Sequence, residues 1–95
     1  MFLVKVHNPN RDSDADFFVQ SKGDNAGKPL RVSSSNCFEV KVTDTDILLP
    51  EYLYFMVMNA YNHGAFKKYI KGSVIPYITI EDFYSGFLEF YGHPL

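Results

Sequence analysis

The chain has 95 residues, 9 Lys and Arg against 11 Asp and Glu, and a formal net charge of -2. That length makes a single domain, residues 1–95. The negative balance excludes a polybasic binder held to nucleic acid by a uniform positive field. With 46% hydrophobic and 21% charged residues, the chain has too much core material and too little charge for intrinsic disorder.

Phe2, Val4 and Val6 alternate with Leu3, Lys5 and His7, and Asn8-Pro9-Asn10 ends the run. This predicts a first strand followed by a polar turn region. Phe17-Phe18-Val19 predicts a second strand, paired with the first across the acidic loop 12–16. Residues 21–36, with Gly23, Gly27, Pro29 and three serines, read as a long loop in which Leu30 and Val32 form one brief extended segment. Phe38, Val40 and Val42 alternate with Cys37, Glu39 and Lys41, which predicts a strand buried on one face.

Pro50 suits the first turn of a helix, because its missing N–H needs no partner there. Glu51 follows, favourable at the positive end of the dipole. Leu53, Met56, Val57 and Ala60 form the inward stripe. Asn62 is expected to cap a second short helix holding Phe66, Tyr69 and Ile70, which Gly72 stops in a left-handed conformation. Residues 73–78 read as extended, with Pro76 placing them at an edge. Thr79 is expected to cap a third helix that ends near Gly86, with a last strand at 87–91 and a tail at 92–95. The sum is an α+β fold, a small mostly antiparallel sheet with two to three short helices.

No catalytic constellation emerges. His7, His63 and His93 fall in separate segments, and there is no P-loop, zinc-protease pair or nucleophile elbow. Cys37, beside Phe38 in a strand, reads as a small buried hydrophobe. As the only cysteine it excludes an intrachain disulfide and a multi-cysteine zinc site. Asp44 and Asp46 read as a solvated turn before Pro50. Asp12, Asp14 and Asp16 mimic the start of a calcium loop, but Phe17 and Gly23 stand where its glycine and closing glutamate belong. No enzyme activity, metal or cofactor is expected. The apolar start is too short for a signal peptide. The apolar run 52–58 is far below the roughly 18 residues a membrane span needs, so a cytoplasmic protein without membrane partners is expected.

The basic residues are segregated. Residues 62–78 contain Lys67, Lys68 and Lys71 and no acid, while residues 20–41 contain Lys22, Lys28, Arg31 and Lys41 against Asp24 and Glu39. Such segments suit phosphates, with glycine N–H groups and serine hydroxyls adding uncharged contacts. Seven Tyr and nine Phe are chiefly core material. Tyr52, Tyr54, Tyr61, Tyr77 and Tyr84 cannot all be inside, and some are expected to line a groove or a self-association surface.

Several segments, in order, resemble the target-recognition domain of type I restriction–modification specificity subunits. They are Asp16-Phe17-Phe18-Val19, the glycine turn Gly23-Asp24-Asn25-Ala26-Gly27-Lys28, and Ser33-Ser34-Ser35-Asn36-Cys37-Phe38. A Pro-Glu-Tyr-Leu-Tyr helix start at 50–54, the short helix at 66–70, the Gly-Ser-x-x-Pro-x-Ile segment at 72–78 and the Thr-x-x-Asp start at 79–82 complete the set. The chain resembles a reduced or partial form, without the long helices that bind methyltransferase subunits. The resemblance implies a non-catalytic module that contacts double-stranded DNA through its loops. Lys22, Asn25, Lys28 and Arg31 would approach from the glycine loop, and Lys67, Lys68, Lys71 and Ser73 from the helix–loop. Lysines would hold phosphates, with Arg31 and Asn25 best suited to base edges. The alternative expectation is a module that keeps this scaffold and binds a protein partner or a second copy of itself.

Overall fold

Alternating apolar residues build the sheet. In the computed structural model, which describes residues 1–92, the strands are β1 Phe2–Val6, β2 Phe17–Gln20, β3 Pro29–Leu30 and β4 Cys37–Val42. All pairings are antiparallel, and the spatial order is β1-β4-β2-β3. The register places Val6 opposite Phe38, Val4 opposite Val40 and Phe2 opposite Val42, with Phe17 opposite Val40 and Val19 opposite Phe38. Paired residues share a face, so these eight side chains make one apolar surface. Helices α1 Pro50–Asn62 and α2 Ile80–Phe90 cover it, which confirms the α+β class. The core joins Phe17, Val19 and Val40 to Leu53 and Val57 of α1 and Phe83 and Phe87 of α2.

The first two strands do not pair with each other, as their sequence order suggested. β4 lies between them and pairs with both, and its side chains are apolar or internally paired on both faces. Cys37, Phe38, Glu39, Val40 and Val42 are all buried, not one face alone. The connection between β1 and β2 must therefore cross β4. Asp16, at the end of that crossing, is tied to β4 twice: its N–H donates to the Val40 carbonyl at 2.8 Å and its Oδ2 accepts from the Val42 N–H at 2.7 Å. The expected loop 21–36 is partly organised as a hairpin, with the Gln20 N–H on Lys28 O and the Gly27 N–H on Gln20 O. β3 pairs Leu30 with Phe18, while Val32 stands outside the strand and exposed.

Pro50 opens α1 as expected, and the helix buries Leu53, Tyr54, Val57 and Ala60, with Met56 only half-buried. It runs through Asn62, which is thus no N-cap. The second helix shrinks to one 3₁₀ turn, Lys67–Tyr69, bounded by Gly64 (φ 77°) and by Ile70, whose ψ of 130° is extended. Gly72 (φ 92°) does take the left-handed conformation, but in a turn that Lys71 and Tyr77 close by exchanging hydrogen bonds of 2.8 and 2.9 Å.

Thr79 caps α2 as expected, its Oγ1 accepting from the Asp82 N–H at 3.1 Å. The predicted end at Gly86 and the strand at 87–91 are wrong, since α2 continues through Phe90. Gly86 is a point of close approach, not a stop. A Cβ there would lie 2.8 Å from the Phe66 ring and 3.1 Å from the Ala65 carbonyl oxygen. Phe66 is fully buried and stacks on Phe83 with centroids 5.1 Å apart. Beyond Gly92 the expected tail lies outside the described residues.

Candidate functional site

The two basic segments meet at one place. Residues Ser21–Gly23 and Lys71 flank the strand-like segment at Tyr77. Lys22 and Lys71 each form a β-bridge with Tyr77, the Gly23 N–H donates to Pro76 O, and the Ile78 N–H donates to Ser21 O. Lys22, Lys71 and the turn bearing Ser73 are therefore neighbours. Lys67 lines a cleft of about 270 Å³ with Asp24, Ala26 and Tyr61. Asn25 stands at the same cleft, where its Oδ1 accepts from the Tyr61 hydroxyl at 3.2 Å. Lys28 closes the glycine turn through its backbone N–H on Asn25 O.

Arg31 does not join this group. It lies at the start of α1, ion-paired to Glu51 and stacked on the Tyr54 ring at 3.6 Å, with the Phe55 ring centre 5.7 Å away. Two of the lysines are also paired within the chain, Lys68 with Glu89 and Lys71 with Asp82. The ion pair with Lys68, seconded by the Tyr69 hydroxyl, holds the Glu89 carboxyl below its ordinary range. Lys71, helped by the Thr79 hydroxyl, does the same for Asp82 against the opposing effect of burial. Among the described residues, half of the six cations expected to contact DNA, namely Arg31, Lys68 and Lys71, are thus answered by a carboxylate of α1 or α2.

Two features escaped the reading of the sequence. The first is on the sheet face that the helices leave open. Glu39 of β4 is buried there, its side chain 7% exposed, and accepts from His7 Nδ1 at 2.8 Å; His7 itself is 9% exposed. Lys5 lies 3.8 Å from the same carboxylate. Burial pushes the Glu39 carboxyl up, but hydrogen bonds from His7 and Ser13 and the charge of Lys5 outweigh it, and its pKa ends below the ordinary value. A glutamate at the centre of an apolar strand, with a histidine at the end of another, was the available signal. Long-range pairing is what joins them.

The second feature is a run of large apolar side chains at the start of α1. Ile47 (71% exposed), Leu49 (64%), Tyr52 (63%) and Phe55 (57%) all face outward beside the Arg31–Glu51 pair. Tyr52 and Phe55 are neighbours at i and i+3 on one helix face. The alternation of Tyr with other apolar residues through 52–58 hid which of them point out.

A groove of about 610 Å³ lies at the end of the sheet, where Val6 and Phe38 meet the start of α2. Its walls are Val6, Phe38, Ile78 and Ile80, with His7, Lys22 and Glu81 at the rim. Among the described residues no group of His, Cys, Asp and Glu is arranged to hold a metal ion, and no helix is long and apolar enough to cross a membrane. Cys37 is a free, buried thiol in contact with Ser34, its Sγ 3.4 Å from the Ser34 carbonyl oxygen.

One family model matches residues 4–93, nearly the whole of this fold. The chain belongs to that family. It is described as a family of unknown function, DUF6943, and the match does not connect the chain to restriction–modification specificity subunits. No curated protein and no solved structure matches the chain.

Proposed function

We propose that this chain is a non-catalytic, cytoplasmic protein-interaction module that associates with a second copy of itself through the start of α1. The observation that carries the reading is the apolar surface of Ile47, Leu49, Tyr52 and Phe55 around the Arg31–Glu51 pair. Isolated exposed apolar residues are ordinary, but Tyr52 and Phe55 on one helix face, with Arg31 beside Phe55, have the composition of interface centres. Its charge is self-complementary. A two-fold axis through the patch sets Arg31 of one copy against Glu51 of the other, while Tyr52 and Phe55 close on their counterparts.

Sedimentation velocity over a concentration series tests this. The wild-type chain is expected to form a dimer, and Phe55→Ala to weaken it about tenfold or more. Arg31→Glu and Glu51→Arg are each expected to weaken the dimer, and the double exchange to restore much of it. A chain that stays monomeric at millimolar concentration overturns the reading.

A second reading rests on the meeting of Lys22, Lys71 and Ser73 at Tyr77. It is the DNA-contacting module implied by the resemblance to target-recognition domains, with phosphates displacing Asp82 and Glu89 from their lysines. The Lys68–Glu89 pair is exposed and costs little to break, while the part-buried Asp82 holds Lys71 more firmly. The local balance of acids against bases ranks it behind self-association.

A further inference from the structure

We propose that the outer edge of β1 is a docking site for an extended peptide in which apolar and acidic residues alternate, bound as a fifth strand of the sheet. Among the described residues β1 is an edge strand, paired with β4 alone. The His7 N–H donates to Cys37 O and the Met1 carbonyl accepts from the Thr43 N–H, so the odd-numbered residues bond inward. The backbone groups of Phe2, Val4 and Val6 consequently point away from the sheet. Tyr84 of α2 occupies part of this edge: its hydroxyl donates to Phe2 O at 3.4 Å and accepts from the Val4 N–H. Among the described residues the Val4 carbonyl and both backbone groups of Val6 are left without a partner, and there the edge opens onto the apolar groove of about 610 Å³. Val6 is 68% exposed.

The geometry sets the chemistry of the occupant. A residue paired with Val6 projects to the same side as Val6, into the groove walled by Phe38, Ile78 and Ile80, and must be apolar. Its neighbour lies opposite Lys5 on the other face. The Lys5 side chain is 74% exposed, and Glu39, the carboxylate within 4 Å of it among the described residues, already binds His7. An acidic residue fits there. On the groove side Lys22 and Glu81 offset each other and the lining is mainly apolar, so the one charge left to answer is that of Lys5, and the carboxylate belongs over it.

A second copy of β1 fits poorly. Antiparallel pairing centred on Val6 sets Lys5 against His7 of the other copy. Pairing centred on Lys5 sets two lysines face to face, and pairing centred on Val4 must evict the Tyr84 hydroxyl. The inference rests on the reading of the chain as an interaction module, but uses a surface separate from the α1 patch. The variants that break one leave the other intact, so the two fail separately.

The test is a titration of the ¹⁵N-labelled full chain with acetyl-Val-Glu-Val-Glu-Val-amide, followed by amide chemical shifts. Saturable shifts are expected at residues 3–8 and 78–81. The Val/Lys counterpart is expected to bind about tenfold more weakly, and Lys5→Glu to reverse the preference. Val6→Pro removes an outward N–H that the native sheet does not use, and is expected to abolish binding. A peptide with methylated valine nitrogens is expected to fail against the unaltered chain, which keeps the test independent of how the variant folds. The proposal is overturned if no saturable shift appears, if shifts map elsewhere, if the two charge patterns bind equally, or if the methylated peptide binds as well as the parent.

Discussion

Glu39 shows how one residue ties three segments together. Its carboxylate joins β4 to His7 and Lys5 of the first strand region and to Ser13 of the crossing loop. Because its folded pKa lies below the ordinary value, its contribution to stability is present at neutral pH and is lost as pH falls through the folded value. Asp82 and Glu89 are shifted in the same direction. Stability is therefore expected to hold from pH 7 to about 5 and to decline below about 4, where free carboxyls protonate. Glu39→Gln keeps the shape but loses the charge, and is expected to cost about 1.5–3 kcal/mol at pH 7, the range for hydrogen bonds to charged groups. Urea unfolding at pH 7 and pH 4 measures both effects. An acid dependence as steep in the variant as in the wild type removes Glu39 from the explanation.

At the scale of elements, α2 illustrates a conflict between propensity and packing. Glycine in a helix interior costs about 1 kcal/mol relative to alanine, so Gly86→Ala gains on propensity alone. The added methyl meets the Phe66 ring at 2.8 Å and a backbone oxygen at 3.1 Å, and Phe66 is held from the other side by Phe83. Overpacking of this kind costs typically about 1–3 kcal/mol, so the variant is expected to be less stable by about 1 kcal/mol. Ser85→Ala, one position earlier and half-buried, is expected to be neutral or slightly stabilising. Denaturant midpoints of the two variants check the sign, and a more stable Gly86→Ala would show that Phe66 can move aside. The same pair explains the misplaced helix end. Ile80, Phe83, Tyr84, Phe87 and Tyr91 keep helical spacing straight through the glycine, and that period was the better guide than the glycine itself.

For the whole molecule, the question is whether segregated charges along the chain become a charged face. Lys22 and Lys71 do meet, but Asp82 and Glu89 of α2 come to the same side, and Arg31 goes elsewhere with Glu51. The expected outcome of duplex titrations at 20 mM and 200 mM salt is therefore weak binding, or none, at both. Affinity that falls steeply with salt, and is lost in Lys22→Glu, would instead count phosphate contacts and promote the DNA reading. A salt series by fluorescence anisotropy decides between them.

Local chemistry, legible in the sequence, determined β1, β2 and β4, the opening of α1 at Pro50, the cap at Thr79 and the left-handed conformation of Gly72, though not the turn in which Gly72 uses it. Each depends on side-chain alternation, a missing N–H, a short hydroxyl or a missing Cβ, and none needs a distant partner. Tertiary structure decided the strand order, because β4 is paired along both edges with strands distant in sequence, and its Glu39 is accommodated by residues some thirty positions away. It decided also that, among the described residues, three of the six cations expected to contact DNA are answered by carboxylates of the helices. Which carboxylate reaches which lysine is set by how α2 lies against the 3₁₀ turn, and ion pairs 11 and 21 residues apart in sequence leave no local pattern to read.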